Sequence, residues 1–169
     1  MPERALEQEP SVEIRAATED DVPLILSFVR ELAEYEGLSH EVVATEDVLR
    51  ESLFGERTGA EVVIGYGDGA PAGFALFFHN FSTFLGRPGL YLEDLYVKPE
   101  KRGRGLGRAL LVHLAGLATE RGCGRMEWSV LDWNEPAIEL YKGIGAVPMD
   151  EWTVYRVTGK ALESLAGGG

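Results

Sequence analysis

Leu90-Tyr91-Leu92-Glu93-Asp94-Leu95-Tyr96-Val97, then Lys101-Arg102-Gly103-Arg104-Gly105-Leu106-Gly107, then Arg108 onward: this stretch decides how the chain is read. The first part is a short apolar run that predicts a strand. The second is a basic, glycine-rich loop. The third predicts a helix, because Leu110, Leu111, Leu114 and Leu117 recur at helical spacing. A strand, a glycine turn and a helix start form an anion site, since helix N-termini carry unpaired N–H groups and partial positive charge. Glycines let the backbone approach a phosphate, and Arg102 and Arg104 add charge and forked donors. A ligand bearing a pyrophosphate is the first expectation. The spacing of Gly103, Gly105 and Gly107 does not match the dinucleotide fingerprint, and the Gly-Lys-Ser/Thr of a nucleotide-hydrolase loop is absent.

Outward from this stretch, length and composition narrow the class. A chain of 169 residues with 45% hydrophobic content suits one globular domain over 11–165, between a polar tail at 1–10 and a frayed end at 166–169. No apolar run reaches membrane-spanning length, and the start lacks a secretory pattern, so no membrane association is expected. The lone Cys123 excludes an internal disulfide framework and suits a reducing cytoplasm. A net charge of −12 argues against nucleic-acid binding. The excess acid either draws in a cationic substrate or only aids solubility.

Upstream, Ser11–Ala16 predicts a strand, and Thr18 with Asp20, Asp21 and Pro23 suits a helix start. Leu24, Phe28, Leu32 and Tyr35 carry that helix to a stop at Gly37. Glu31, Glu34 and Glu36 crowd its last turn, the wrong end for acids by the helix dipole. They serve a ligand or form a solvated face. Thr45 opens a shorter helix through Leu53. Residues 61–66 and 71–78 predict strands joined at Gly67-Asp68-Gly69, and Gly73 inside the second marks a bulge or a close approach. Residues 79–89 predict a long loop whose Phe81, Phe84 and Leu85 plug the core or wall a pocket. Downstream, 126–131 predicts a strand and Asn134 caps a helix over 135–142. Two further strands are expected at 146–149 and 152–157, and a short closing helix at 160–165. His40, His79, His113 and Cys123 have no metal-like spacing, so no metal is expected.

The runs RELAEYE, GLYLEDLYV, RGRGLG and WNEPAIELYKGIGA carry a resemblance. With Arg102-x-x-Gly105-x-Gly107 following the strand, the chain resembles the GNAT N-acetyltransferases and, within them, the diamine (spermidine/spermine) and thialysine branch. The likeness runs from about Val12 to Tyr155. It implies an α/β fold: a mixed, mostly antiparallel twisted sheet of about seven strands, splayed at the centre, with about four flanking helices. It implies acetyl-CoA as co-substrate and a homodimer as the assembly.

The chemistry sets its own demands. An alkylammonium has a pKa of roughly 10, so acetyl transfer needs a proton acceptor. By strict alternation Glu93 shares a strand face with Tyr91, Leu95 and Val97, and apolar neighbours there should raise its pKa toward that of a base. Asp94 then faces the other way, unless the bulge that the family has in this strand re-aims it. The resemblance implies that Tyr141 protonates the departing thiolate, with a core aromatic as the bland alternative. It places the pantetheine arm along the backbone of Leu95, Tyr96 and Val97, and the pyrophosphate at Arg102, Gly103, Arg104, Gly105, Leu106, Gly107 and Arg108. Asn134 is either a pantetheine contact or only a helix cap, with Pro136 and Ala137 beside it at the coenzyme. Tyr35, Glu36, Glu93, Asp94, Glu127, Trp128, Ser129 and Glu151 are implied to line the amine pocket.

The expected activity is therefore direct acetyl transfer from acetyl-CoA to a primary amine of a small cationic substrate: a polyamine, a diamine or a thialysine-like amino acid. Another amine substrate (an amino acid, an antibiotic or a protein) and a non-catalytic acyl-CoA-binding module are the alternatives.

Overall fold

The structure is a computed structural model that describes residues 11–169; the tail expected at 1–10 lies outside them. Two units form: the described residues up to Ser129, and Val130–Gly169.

The first unit is built on a five-stranded open sheet in the order β1 (Val12–Ala16), β2 (Glu61–Gly67), β3 (Ala70–Ser82), β4 (Arg87–Val97) and β5 (Met126–Trp128). The first four pair antiparallel and β5 runs parallel to β4. Three helices accompany them: α1 (Val22–Tyr35), α2 (Glu46–Phe54) and α3 (Leu106–Glu120). Local chemistry sets their starts. The Thr18 N–H donates to the Asp21 carboxylate at 2.8 Å ahead of α1, and the Thr45 hydroxyl accepts from the Val48 N–H at 3.3 Å. Residues 79–89, expected as a loop, instead finish β3 and begin β4. The strands pair through Ser82 and Arg87, leaving Phe84 fully exposed at the hairpin tip rather than plugging the core.

Ile25 and Phe28 of α1 pack with Leu53, Val62, Ile64, Phe74 and Tyr96 on one face of the sheet. The Phe28 and Phe74 rings stack at 5.4 Å. Burying each such ring stabilises the fold by about 2–3 kcal/mol. Leu106, Leu110, Leu111 and Leu114 are the buried stripe of α3. Gly65 makes room for this helix, since a Cβ there would stand 2.8 Å from the Leu106 Cδ1. Gly73, for its part, lies against the backbone of Tyr96 and Val97, the close approach anticipated for it.

The register between β3 and β4 slips where Leu76 pairs Asp94 but Phe77 pairs Leu92, so Glu93 is the extra residue of a bulge. Cross-strand partners share a face. Leu76 packs on the α1-side core, so Asp94 takes that face too. Strict alternation therefore fails at Glu93. Asp94 joins Tyr91 and Tyr96 on the α1 side, while Leu95 and Val97 turn to the other face.

The second unit holds α4 (Glu135–Gly143) and α5 (Gly159–Ala166). The Asn134 side chain accepts from the Ala137 N–H at 3.4 Å and starts α4. The strands expected at 146–149 and 152–157 do not form. These apolar segments have no ladder partner among the described residues, and Trp152, Val154 and Tyr155 are exposed. The described residues thus hold five strands rather than seven and five helices rather than four.

Candidate active site

The glycine loop gives α3 an open N-terminus. Gly105 precedes the helix at φ +80°, a left-handed conformation that L side chains resist. The Ala109 N–H is the first to reach back, to the Gly105 carbonyl at 2.9 Å. The N–H groups of Leu106, Gly107 and Arg108 therefore have no helical carbonyl behind them. A Cβ at Gly103 or Gly105 would meet nothing within 4 Å, so the loop backbone borders open space. These donors and that space fit a pyrophosphate.

The two loop arginines are engaged differently from a simple phosphate fork. The Arg102 Nε–H donates to the Val97 carbonyl at 2.9 Å. Its guanidinium lies 4.8 Å from the centre of the Tyr35 ring and 5.8 Å from that of Tyr96. Arg104 meets the Asp68 carboxylate at 3.7 Å and is half exposed.

Beside the loop, β4 runs on without its parallel neighbour. β5 pairs with Leu90, Tyr91 and Leu92 and ends at Trp128. No strand among the described residues pairs with β4 on that side from Glu93 to Val97. An extended polyamide can lie along such an edge as another strand would.

Carboxylates gather where the edge opens. Glu93 is exposed at the bulge and Asp94 is mostly buried. Burial, reinforced by the negative charges of Glu93 and Glu36, pushes the Asp94 carboxyl up to about 6. Glu36 closes the C-terminal end of α1, and burial moves its carboxyl upward as well. The desolvation anticipated at Glu93 thus falls on Asp94, because the bulge turns Asp94 inward. A trio of carboxylates suits positive charge, and a carboxyl poised near 6 can accept a proton at neutral pH.

The other anticipated pocket residues are placed less uniformly. The Glu127 carboxylate already receives the Arg125 Nε at 3.0 Å and the Asn80 Nδ2 at 3.4 Å. Ser129 shares a 3.0 Å hydrogen bond with the Tyr91 hydroxyl, and Trp128 is half-buried at the end of β5. In the second unit, Asn134 and the half-buried Tyr141 stand seven residues apart, two turns along one face of α4. Pro136 and Ala137 fill its first turn, and Glu151 is exposed in a turn beyond it. The cap made by Asn134 is present, as one of its two readings required.

Two further residues are of interest: Glu31, read from the sequence only as one of the crowded acids of α1, and Asn80, which escaped that reading. Glu31 lies one turn before Tyr35, with one carboxylate oxygen 3.9 Å from the Lys98 Nζ and the other buried without a hydrogen-bond partner. Its place among the acids of the last turn of α1 was the available signal. Asn80, which holds Glu127, sits in the stretch expected to be loop, and nothing in the sequence marks it.

An open mixed sheet, parted beside the bulged strand β4 and flanked by a glycine-led helix N-terminus, suits an acyltransferase. The chain belongs to the Acetyltransferase (GNAT) family, whose model matches residues 26–146. It is 41% identical over 167 residues to a thialysine N-epsilon-acetyltransferase of Bos taurus, covering 92% of this chain and 98% of that protein. It is 32% identical to an L-ornithine N5-acetyltransferase of Arabidopsis thaliana, covering 90% of this chain and 86% of the other. Among solved structures, an integron cassette protein of V. cholerae superposes with a TM-score of 0.76 at 32% identity, covering 92% of this chain and 98% of that one. The family and these relatives make the protein an N-acetyltransferase.

Proposed function

We propose that this enzyme acetylates the side-chain amine of a small cationic amino acid, thialysine-like or ornithine-like, by direct transfer from acetyl-CoA. The observation that carries the proposal is the meeting of Glu36, Glu93 and Asp94 where β4 opens. The names of the Bos taurus and Arabidopsis thaliana relatives support an amino-acid amine over a polyamine.

Acetyl-CoA supplies the activated acetyl group as a thioester and leaves as the thiol. The N–H groups of Leu106, Gly107 and Arg108 hold its pyrophosphate, and the open edge of Leu95, Tyr96 and Val97 takes its pantetheine amides. Glu36 and Glu93 hold the ammonium charges of the substrate. Asp94 accepts the proton that the attacking nitrogen must lose, directly or through water. As the C–N bond forms and the C–S bond breaks, the Tyr141 phenol gives its proton to the sulfur. A phenol with pKa roughly 10 stays protonated for that task at neutral pH. Two copies of the chain form the working particle in the cytoplasm, without nucleic acid, membrane or metal.

The test is free-thiol release from acetyl-CoA across thialysine, ornithine, lysine, spermidine, spermine, putrescine and amino sugars, with wild type and Glu93→Gln. Strong turnover of a cationic amino acid, reduced by the substitution, is the expected result. Turnover confined to polyamines or amino sugars would overturn the substrate assignment.

A further inference from the structure

We infer that Arg102 is a positioning residue that ties the coenzyme loop to the amine-pocket end of α1, so that the two open and close as one unit. The inference rests on the acetyltransferase reading above. Arg102 stands at the first position of the glycine loop, where an arginine is the obvious phosphate ligand. Instead its Nε–H is given to the Val97 carbonyl at 2.9 Å, which pins the loop to the end of β4. The same guanidinium lies over Tyr35, 4.8 Å from the ring centre, with the buried Tyr96 ring at 5.8 Å. Tyr35 is the last residue of α1, and Glu36 follows it directly. One side chain therefore touches the loop that faces the pyrophosphate, the strand edge that faces pantetheine, and the helix end that carries a substrate carboxylate. A planar guanidinium can bond in its plane and stack on its face at once; a lysine ammonium cannot.

The consequence is a linkage. If the helix end opens together with the loop, whatever holds the loop also protects the helix end by mass action. The last amides of α1 report this opening. Glu36 N–H bonds the Leu32 carbonyl at 3.0 Å, Gly37 N–H that of Glu34 at 3.1 Å, and Leu38 N–H that of Ala33 at 2.7 Å. The Leu49 N–H, bonded to the Thr45 carbonyl at 3.0 Å, is the control outside the clasp.

The experiment is amide hydrogen exchange of the full chain with and without coenzyme A, alongside calorimetric coenzyme affinity, for wild type, Arg102→Lys and Tyr35→Leu. At about ten times Kd, exchange at Glu36, Gly37 and Leu38 should slow about tenfold in wild type, with Leu49 unchanged. Both variants, each saturated with coenzyme A, should lose that protection, although Tyr35→Leu leaves the loop itself intact. Binding of coenzyme A with no slowing in wild type overturns the inference and leaves the acetyltransferase reading standing. Protection retained in either saturated variant also overturns it, and a tenfold or greater loss of affinity in Arg102→Lys beside retained protection makes Arg102 a phosphate ligand. Absence of coenzyme A binding in wild type overturns the acetyltransferase reading and the inference with it.

Discussion

Replacing Asp94 with Asn probes the catalytic and the energetic reading together. The folded protein holds the Asp94 carboxyl at about 6 against an ordinary 3.8, because burial and the charges of Glu93 and Glu36 disfavour the carboxylate. The folded state therefore binds more protons than the unfolded one between those values, so stability falls as pH rises through them. At ~1.4 kcal/mol for each pH unit the full displacement corresponds to ~3 kcal/mol, an upper value for a side chain that keeps some contact with water. Between about pH 4.5 and pH 8 the wild type should lose ~2 kcal/mol that Asp94→Asn does not lose. Denaturant unfolding of both proteins at the two pH values reads this difference, whatever the substitution costs in packing. In the same variant kcat/KM should fall by about 10²–10⁴, the range for removing a general base, and the rise of activity through pH ~6 should vanish. A stability gap between variant and wild type that is equal at both pH values would refute the desolvation argument. An unchanged pH–rate profile would refute the role of Asp94 as proton acceptor.

Two other substitutions test the remaining parts of the site. Tyr141→Phe should lower kcat while acetyl-CoA affinity, measured by calorimetry, is retained; unchanged turnover removes the phenol from the mechanism. Gly65→Ala should cost about 1–3 kcal/mol by pushing Leu106 and the start of α3 off the sheet. Chemical denaturation reads the stability loss, and coenzyme affinity should weaken with it, because the displaced residue carries one of the open N–H groups.

The glycine loop was legible because its conformation requires bare backbone, and glycine leaves a mark wherever backbone must be bare. Leu110, Leu111 and Leu114 are buried on α3 as their spacing required and Leu117 is half-buried, while Leu106, read as part of the loop, starts the helix behind Gly105 at φ +80° and is buried too. The hairpin from β3 to β4 was obscured by Phe81, Phe84 and Leu85, which look like core residues yet sit at an exposed tip. The strands expected at 146–149 and 152–157 show the opposite error: their apolar content is present, but a strand exists only where a neighbour completes its ladder.

The sequence by itself determined the family, the glycine-led start of α3 and which acids the chain carries, because these lie in contiguous residues whose spacing is informative. Tertiary structure decided which acid is buried and what Arg102 holds. One extra residue at Glu93 reverses the face of everything after it in β4, and no local pattern in Leu92-Glu93-Asp94-Leu95 says where the slip occurs. The partner strand decides it, since register is set by packing across the sheet. Likewise nothing in the 65 positions between Glu36 and Arg102 announces that the Arg102 guanidinium lies over the ring of Tyr35. That closeness follows from α1 lying against the face of the sheet that carries Tyr96.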